Sequence, residues 1–271
     1  MRRSNETTDR SLRLSALERS VECHDPQLAT LLGHIAGRRS RRGRVTTSVR
    51  DTSTLSGDVR IFRLARPAGF SFRAGQHVKL RLADVPKARS YSIASAPHDP
   101  QLEFCIERVE GGRFTPRLFA GSTTLEIASA AKGKFVLAAG ASVHLMVATV
   151  TGIAPMRSML RHALHTGVAG RFVVLHGASH ADELPYREEL EALAAREERV
   201  RYVPTVSRPT EARNRGFTGR HCRVDDLMLA ELGQLGSGVH AYACGNGGMV
   251  RRVRDELSRR GIPVSTESFG G

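Results

Sequence analysis

The chain has 271 residues, 40% of them hydrophobic, and carries 41 Lys plus Arg against 27 Asp plus Glu, a net charge of +14. That length suits two domains of about 100–150 residues, each with its own packed core. No apolar run approaches the roughly 20 residues that span a bilayer, so no integral membrane segment is expected. Cys23, Cys105, Cys222 and Cys244 are far apart. Without a C-x-x-C pair they cannot hold an iron–sulfur cluster or structural zinc, so no metal site is expected. Scattered thiols fit a reducing compartment such as the cytoplasm. The positive charge fits an acidic partner, or equally a solvated Arg-rich surface. No nucleic-acid recognition motif accompanies it.

Residues 1–42 differ from the rest. Arginine runs such as Arg38-Arg39-Ser40-Arg41-Arg42 flank leucines spaced for short amphipathic helices. There is no apolar signal-peptide core, and Glu6, Asp9, Glu18, Glu22 and Asp25 argue against a mitochondrial presequence. A partly helical or disordered Arg-rich extension is expected.

From 43 to 139 the pattern is β. Val45–Arg50, Asp58–Leu64, Val78–Leu82 and Leu102–Val109 alternate apolar and polar residues between turn signals, which predicts a small antiparallel barrel. Arg89-Ser90-Tyr91-Ser92 falls among these strands. Residues two apart on a strand share a face, so Arg89 and Tyr91 can reach one ligand together, with Ser92 on the neighbouring edge. A guanidinium suits a phosphate, a tyrosine ring offers a stacking surface, and a serine hydroxyl can bond a ring nitrogen. Together these chemistries describe a flavin site. Gly112-Arg113-Phe114-Thr115-Pro116 reads as a helix start, with Thr115 at the N-cap and Pro116 in the first turn. Such a start offers free N–H groups to a phosphate.

From 140 to 271 strands alternate with helices. Val143–Ala148 runs into Thr151-Gly152-Ile153-Ala154-Pro155 and a helix from Met156 to His165. Further strands cover Phe172–Gly177, Val200–Val206 and His240–Gly245, with helices around Tyr186–Arg196 and Gly248–Arg260. Repeated βα units predict a parallel sheet covered on both faces, with ligands beyond the carboxyl ends of its strands. Thr151-Gly152, Gly177 to Ser179, Ser207-Arg208 and Cys244-Gly245 stand at those ends.

These motifs, in this order, resemble the ferredoxin–NADP reductase family over roughly residues 45–269. Arg89-Ser90-Tyr91-Ser92 resembles its flavin signature, and Gly112 to Leu118 its flavin-pyrophosphate segment. Thr151 to Pro155 resembles its nicotinamide-nucleotide loop, and Tyr242 to Met249 its Cys-Gly-Asn-Pro-x-Met block, with Gly247 where proline is usual. Glu267-Ser268-Phe269 resembles its acid-x-aromatic tail. The family glycine before Thr151 is replaced by Val150, and a β-branched residue resists positive φ, so a differently shaped loop entry is expected.

The resemblance implies a two-domain protein: an antiparallel β-barrel flavin domain over 43–139, then an α/β parallel-sheet nucleotide-binding domain over 140–271. It implies that FAD is held by Arg89, Tyr91, Ser92, Cys105, Ile106, Arg108, Gly112, Thr115 and Phe269. NADP would be held by Thr151, Gly152, Ser179, Ser207, Arg208, Arg220, Cys244, Gly245 and Met249, with Ser207, Arg208 and Arg220 on its 2′-phosphate. Ser92, Cys244 and Glu267 would border the hydride path. Hydride then passes from NADPH to FAD, and single electrons pass to a separate acidic carrier, ferredoxin or flavodoxin. Two other readings stay open: the reductase component of an oxygenase or a free flavin or haem-protein reductase, and a flavin-bearing regulatory subunit without turnover.

Overall fold

The computed structural model describes residues 39–40 and 43–269. The extension assigned to 1–42 therefore lies outside the described residues, apart from the two-residue strand β1, Arg39–Ser40.

The first half is an antiparallel near-barrel. Its strands are β2 (Arg44–Thr54), β3 (Val59–Ala65), β4 (His77–Arg81), β5 (Arg89–Ser92), β6 (Gln101–Glu107) and β7 (Thr124–Ala128). They lie in the order β5-β4-β7-β2-β3-β6, with β1 on β2. Just past β5, the Ala94 N–H donates to Glu103 O at 2.8 Å, which draws the two ends of the sheet together. Inward-facing Phe62, Leu64, Leu80, Phe104, Leu125 and Ile127 fill the interior. β7 carries the alternation Leu125-x-Ile127, a period-2 signal that the sequence reading passed over. The short helix α1 spans Thr115–Phe119. Phe114 occupies its N-cap and Thr115 is already helical. The Thr115 hydroxyl accepts from the Val109 N–H at 2.9 Å instead of capping the helix, which corrects the expected N-cap.

The second half is a five-stranded parallel sheet: β8 (Val143–Thr149), β9 (Arg171–Ala178), β10 (Val200–Val206), β11 (Val239–Asn246) and β12 (Val264–Phe269), ordered β10-β9-β8-β11-β12. Helices α2 (Ile153–Thr166) and α3 (Arg187–Arg196) cover one face; α4 (Val224–Glu231) and α5 (Gly247–Arg259) cover the other. The α2 helix begins three residues earlier than expected because Pro155 sits in its first turn, where a missing N–H costs nothing. The expected tail is a strand: β12 pairs with β11. The strand order reverses between β8 and β11, and that switch point opens a crevice at their carboxyl ends.

The halves share one packed core. Ile61, Ala94, Cys105 and Phe135 of the first pack with Met156, Met159, Tyr186 and Tyr242 of the second. Arg157 at the start of α2 donates to Ala94 O at 2.9 Å, and Ser158 Oγ donates to Ser95 O at 2.6 Å. Both bonds fix the chain immediately after β5. No helix among the described residues is long and apolar enough to cross a membrane.

Candidate active site

A cavity of about 420 Å³ opens beside β5 and β6 and is lined by Ser90, Tyr91, Ser92, Cys105, Glu107 and Arg108, with Thr151, Ala154 and Phe269 closing it from the second half. Five residues expected at the flavin are thus brought together: Tyr91, Ser92, Cys105, Arg108 and Phe269. Strand alternation explains Ile106, which faces the barrel core while its neighbours Cys105 and Glu107 face the cavity. Arg89 is exposed at the start of β5 and does not line the cavity. Gly112, in the turn before α1, and Thr115, at the start of α1, do not line it; the Gly112 N–H donates to Val109 O at 3.0 Å. A Cβ on Gly112 would crowd that same carbonyl. Tyr91 leans on Phe114 with ring centroids 5.5 Å apart. Burial pushes the Tyr91 hydroxyl well above its ordinary pKa. The Cys105 thiol is likewise raised by burial, with Glu103 and Glu107 adding repulsion, so it stays protonated.

A second cavity, of about 370 Å³, lies in the switch-point crevice. Its walls include Thr149, Val150, Thr151, Ser179, Ser207, Gly245 and Met249. Thr151, Ser179, Ser207, Gly245 and Met249 therefore meet as expected. Gly152 and Cys244 lie behind the wall, and a Cβ on Gly152 would collide with the Cys244 carbonyl. Gly245, at φ +128°, is pressed onto the Thr149 hydroxyl in the same way. These two glycines let β8 and β11 approach closely enough for backbone to form the cavity floor, as a cradle for a phosphate-bearing ligand requires. Asn246 caps α5, its Oδ1 accepting from Gly248 N at 2.9 Å and Met249 N at 3.2 Å. Gly247 is the first residue of α5, where proline would also fit.

Val150 corrects an expectation. It does not avoid positive φ but adopts +46°, a genuine outlier for a β-branched side chain. Among the described residues Tyr186 is its sole non-glycine companion in that region.

Arg208 and Arg220 do not line this cavity. Arg208 is exposed, with Nη1 3.4 Å from Glu211 Oε1. Arg220 is exposed and bridges backbone to backbone with Thr205. Around them lies a charged rim that sequence reading missed. His180 bonds Glu211 at 2.6 Å through Nε2 and Glu183 at 3.1 Å through Nδ1. The Glu211 hydrogen bond, with Glu183 assisting, raises the His180 pKa. Arg213 pairs with Asp182 at 2.8 Å.

Glu107, Thr151 and Phe269 line both cavities, so the two meet there. Glu107 was also missed, although its place two residues after Cys105 on one strand put it on the cavity face. Desolvation, with Glu183 and Asp58 adding repulsion, raises its pKa. Near the junction, Ser92 Oγ donates to Glu267 Oε1 at 2.6 Å. Glu267 stands opposite Cys244 in the β11–β12 register. Burial holds the Cys244 thiol well above its usual pKa, and the charge of Glu267 adds to this. His77, opposite Ser92 across β4–β5, places Nδ1 3.5 Å from Glu267 Oε2; register of this kind leaves no local trace in a sequence. Among the described residues no group of three or more His, Cys, Asp or Glu is placed to hold a metal ion.

Residues 46–138 match the oxidoreductase FAD-binding domain family, and residues 146–255 match the oxidoreductase NAD-binding domain family. Ferredoxin–NADP reductase B of Sorangium cellulosum is 39% identical over 214 residues, covering 75% of this chain and 85% of that protein. The flavodoxin/ferredoxin–NADP reductase of Escherichia coli is 34% identical over 196 residues, covering 66% of this chain and 76% of that one. The naphthalene 1,2-dioxygenase system ferredoxin–NAD(P)(+) reductase component of Pseudomonas putida is 29% identical over 210 residues, covering 76% and 62% respectively. A crystal structure of a ferredoxin NADP+ reductase from Neisseria gonorrhoeae with bound FAD and NADP superposes with a TM-score of 0.73 at 23% identity. That match covers 83% of this chain and 98% of the other, and shows the same fold. The chain carries an FAD-binding and an NAD-binding domain and belongs to the ferredoxin–NADP reductase family of flavin-dependent NAD(P)H oxidoreductases.

Proposed function

We propose that the chain takes hydride from NADPH at FAD and passes single electrons to a separate carrier such as ferredoxin or flavodoxin. The observation that carries this reading is the junction of the two cavities at Glu107, Thr151 and Phe269, beside the Ser92–Glu267 hydrogen bond. Bound FAD supplies the hydride acceptor and releases electrons one at a time; the protein supplies position and electrostatics. Tyr91 offers its ring as a stacking face. Ser92 presents a hydroxyl whose proton is already directed to Glu267, which leaves its lone pairs for a donor on the ligand. Phe269 covers the junction and keeps water from it. Cys244, held as a neutral thiol behind the wall, backs the site without adding charge. Arg89, exposed beside Tyr91, is free to turn to a phosphate.

On the nucleotide side, Thr151, Gly245 and Met249 form the floor, and Ser179 and Ser207 offer hydroxyls on the wall. Arg208 and Arg220 stand at the rim as the cations for a 2′-phosphate, which favours NADPH over NADH. The division between the two functional halves is placed at 139/140, and a reducing compartment such as the cytoplasm suits the free thiols. Ferredoxin and flavodoxin are named for the Sorangium cellulosum and Escherichia coli relatives, and an acidic carrier suits the net charge of +14. The Pseudomonas putida relative motivates the second reading, a reductase component serving an oxygenase.

The test is anaerobic stopped-flow absorbance of the flavin-loaded protein mixed with NADPH or NADH. Fast bleaching by NADPH with little by NADH is expected. Bound flavin that neither nucleotide reduces would sink the catalytic reading and leave a regulatory subunit.

A further inference from the structure

The strained residue in the nucleotide cavity has a buried partner. His176 lies in the middle of β9 and is completely buried. Its Nε2 is 2.9 Å from the carbonyl oxygen of Val150, and its Nδ1 is 3.1 Å from Tyr202 Oη on β10. The protons on this chain of bonds are fixed by what each group can do. A carbonyl only accepts, so Nε2 carries the hydrogen. Nδ1 is then a lone pair and takes the Tyr202 hydroxyl proton. Burial holds the ring neutral, moving its pKa down to about 4. The Ile153 N–H also reaches the Val150 carbonyl. That oxygen thus faces one donor from the following helix, shared with the Thr151 carbonyl, and one from the sheet.

We propose that His176 is a positioning residue for nucleotide binding, which holds Val150 at positive φ so that the Val150–Gly152 turn faces the cavity. This rests on the reading of that cavity as the nucleotide site. A backbone conformation that a β-branched residue disfavours persists only where its surroundings over-determine it. Among the described residues, the one side-chain hydrogen bond to the strained residue's carbonyl comes from a ring that is itself held on its other side by Tyr202. A glycine at position 150 would need no such clamp. The clamp matters where residue 150 is β-branched, and the two positions are therefore coupled.

The experiment measures NADP+ dissociation constants by flavin difference absorbance, and KM and kcat for NADPH, on flavin-loaded wild type, H176F, V150G and V150G/H176F. Coupling predicts that H176F binds NADP+ about tenfold more weakly than wild type, with KM rising more than kcat falls. The same change on V150G should shift binding by less than about threefold. H176Q, whose amide can both donate to Val150 and accept from Tyr202, should recover most of the lost affinity. Equal losses on the two backgrounds, or no loss on either, would overturn the clamp. If H176F does not fold, Y202F compared with V150G/Y202F asks the same question, because the hydroxyl that fixes the ring is removed while the ring remains. A loss confined to the Val150 background supports the clamp, and equal losses refute it. A wild type that binds no NADP+ would instead overturn the reading of the site itself.

Discussion

Arg157, packed between the two halves, and Arg208 and Arg213, on the charged rim, are built on opposite principles. Arg157 is 6% exposed. It makes a two-pronged contact with Glu189 through Nε and Nη2 at 2.8–3.0 Å, bonds the Ala94 carbonyl, lies 3.1 Å from Glu103 and stacks 4.2 Å above the Tyr186 ring. Its head is buried among these partners, and its removal would leave Glu103 with Arg63 and Glu189 with Arg161. Arg208 and Arg213 sit in water, each paired with acids that water solvates equally well. A guanidinium that holds two halves together has to be buried and well bonded. An exposed one keeps its freedom to turn to another partner. The contrast separates a joint from a surface charge.

The largest effect should follow from breaking the joint. Arg157→Met takes the buried cation from Glu103 and Glu189, leaving them only Arg63 and Arg161, and should lower stability by about 3 kcal/mol in urea unfolding, the low end for a broken buried pair. A loss below about 1 kcal/mol would show that the joint is as weakly held as the rim. Next comes pH. The folded His176 has its pKa lowered from 6.5 to about 4, so between those values the unfolded chain binds the extra proton. Stability should therefore fall as pH drops from about 6.5 toward 4, by at most about 3 kcal/mol from this group. Melting curves across that range should show a shallower fall for H176Q than for wild type. At the cavity junction, Ser92→Ala removes the hydroxyl bonded to Glu267 and should slow flavin reduction by NADPH roughly tenfold, read by stopped-flow. On the rim, Arg208→Ala should raise KM for NADPH about fivefold and leave NADH unchanged. The smallest effect is expected for Arg213→Ala, whose exposed ion pair should leave the melting temperature within about 2 °C. A large drop there would erase the distinction between the two groups.

Much of the architecture was legible because period and order carry it. Alternation announced β3 and β6, the βα repeat announced the parallel sheet, and Arg89 to Ser92 is a strand beside a cavity. What stayed hidden is set by register and by contacts between distant segments. Ile106 and Glu107 are neighbours in sequence, yet the pleat sends one into the core and the other into the cavity. The resemblance set Glu267 beside Ser92 and Cys244, but that it reaches them as a strand level with Cys244 on β11 is register. Val150 was expected to reshape the loop by refusing positive φ. The buried histidine 26 residues later holds it there, and no local propensity encodes that bond. Arg157 reads as an ordinary charge in a helical stretch until the barrel closes over it.

The hydrogen bond between Ser92 and Glu267 joins residues 175 positions apart. A chain made from its N-terminus completes the barrel strands long before Glu267 exists, and closing so distant a contact is among the last and slowest steps of assembly. The barrel wall of the cavity is thus made first, and Glu267 and Phe269 reach it only with the final strand of the other half. Assembly order alone keeps a half-made chain from carrying the completed cavity.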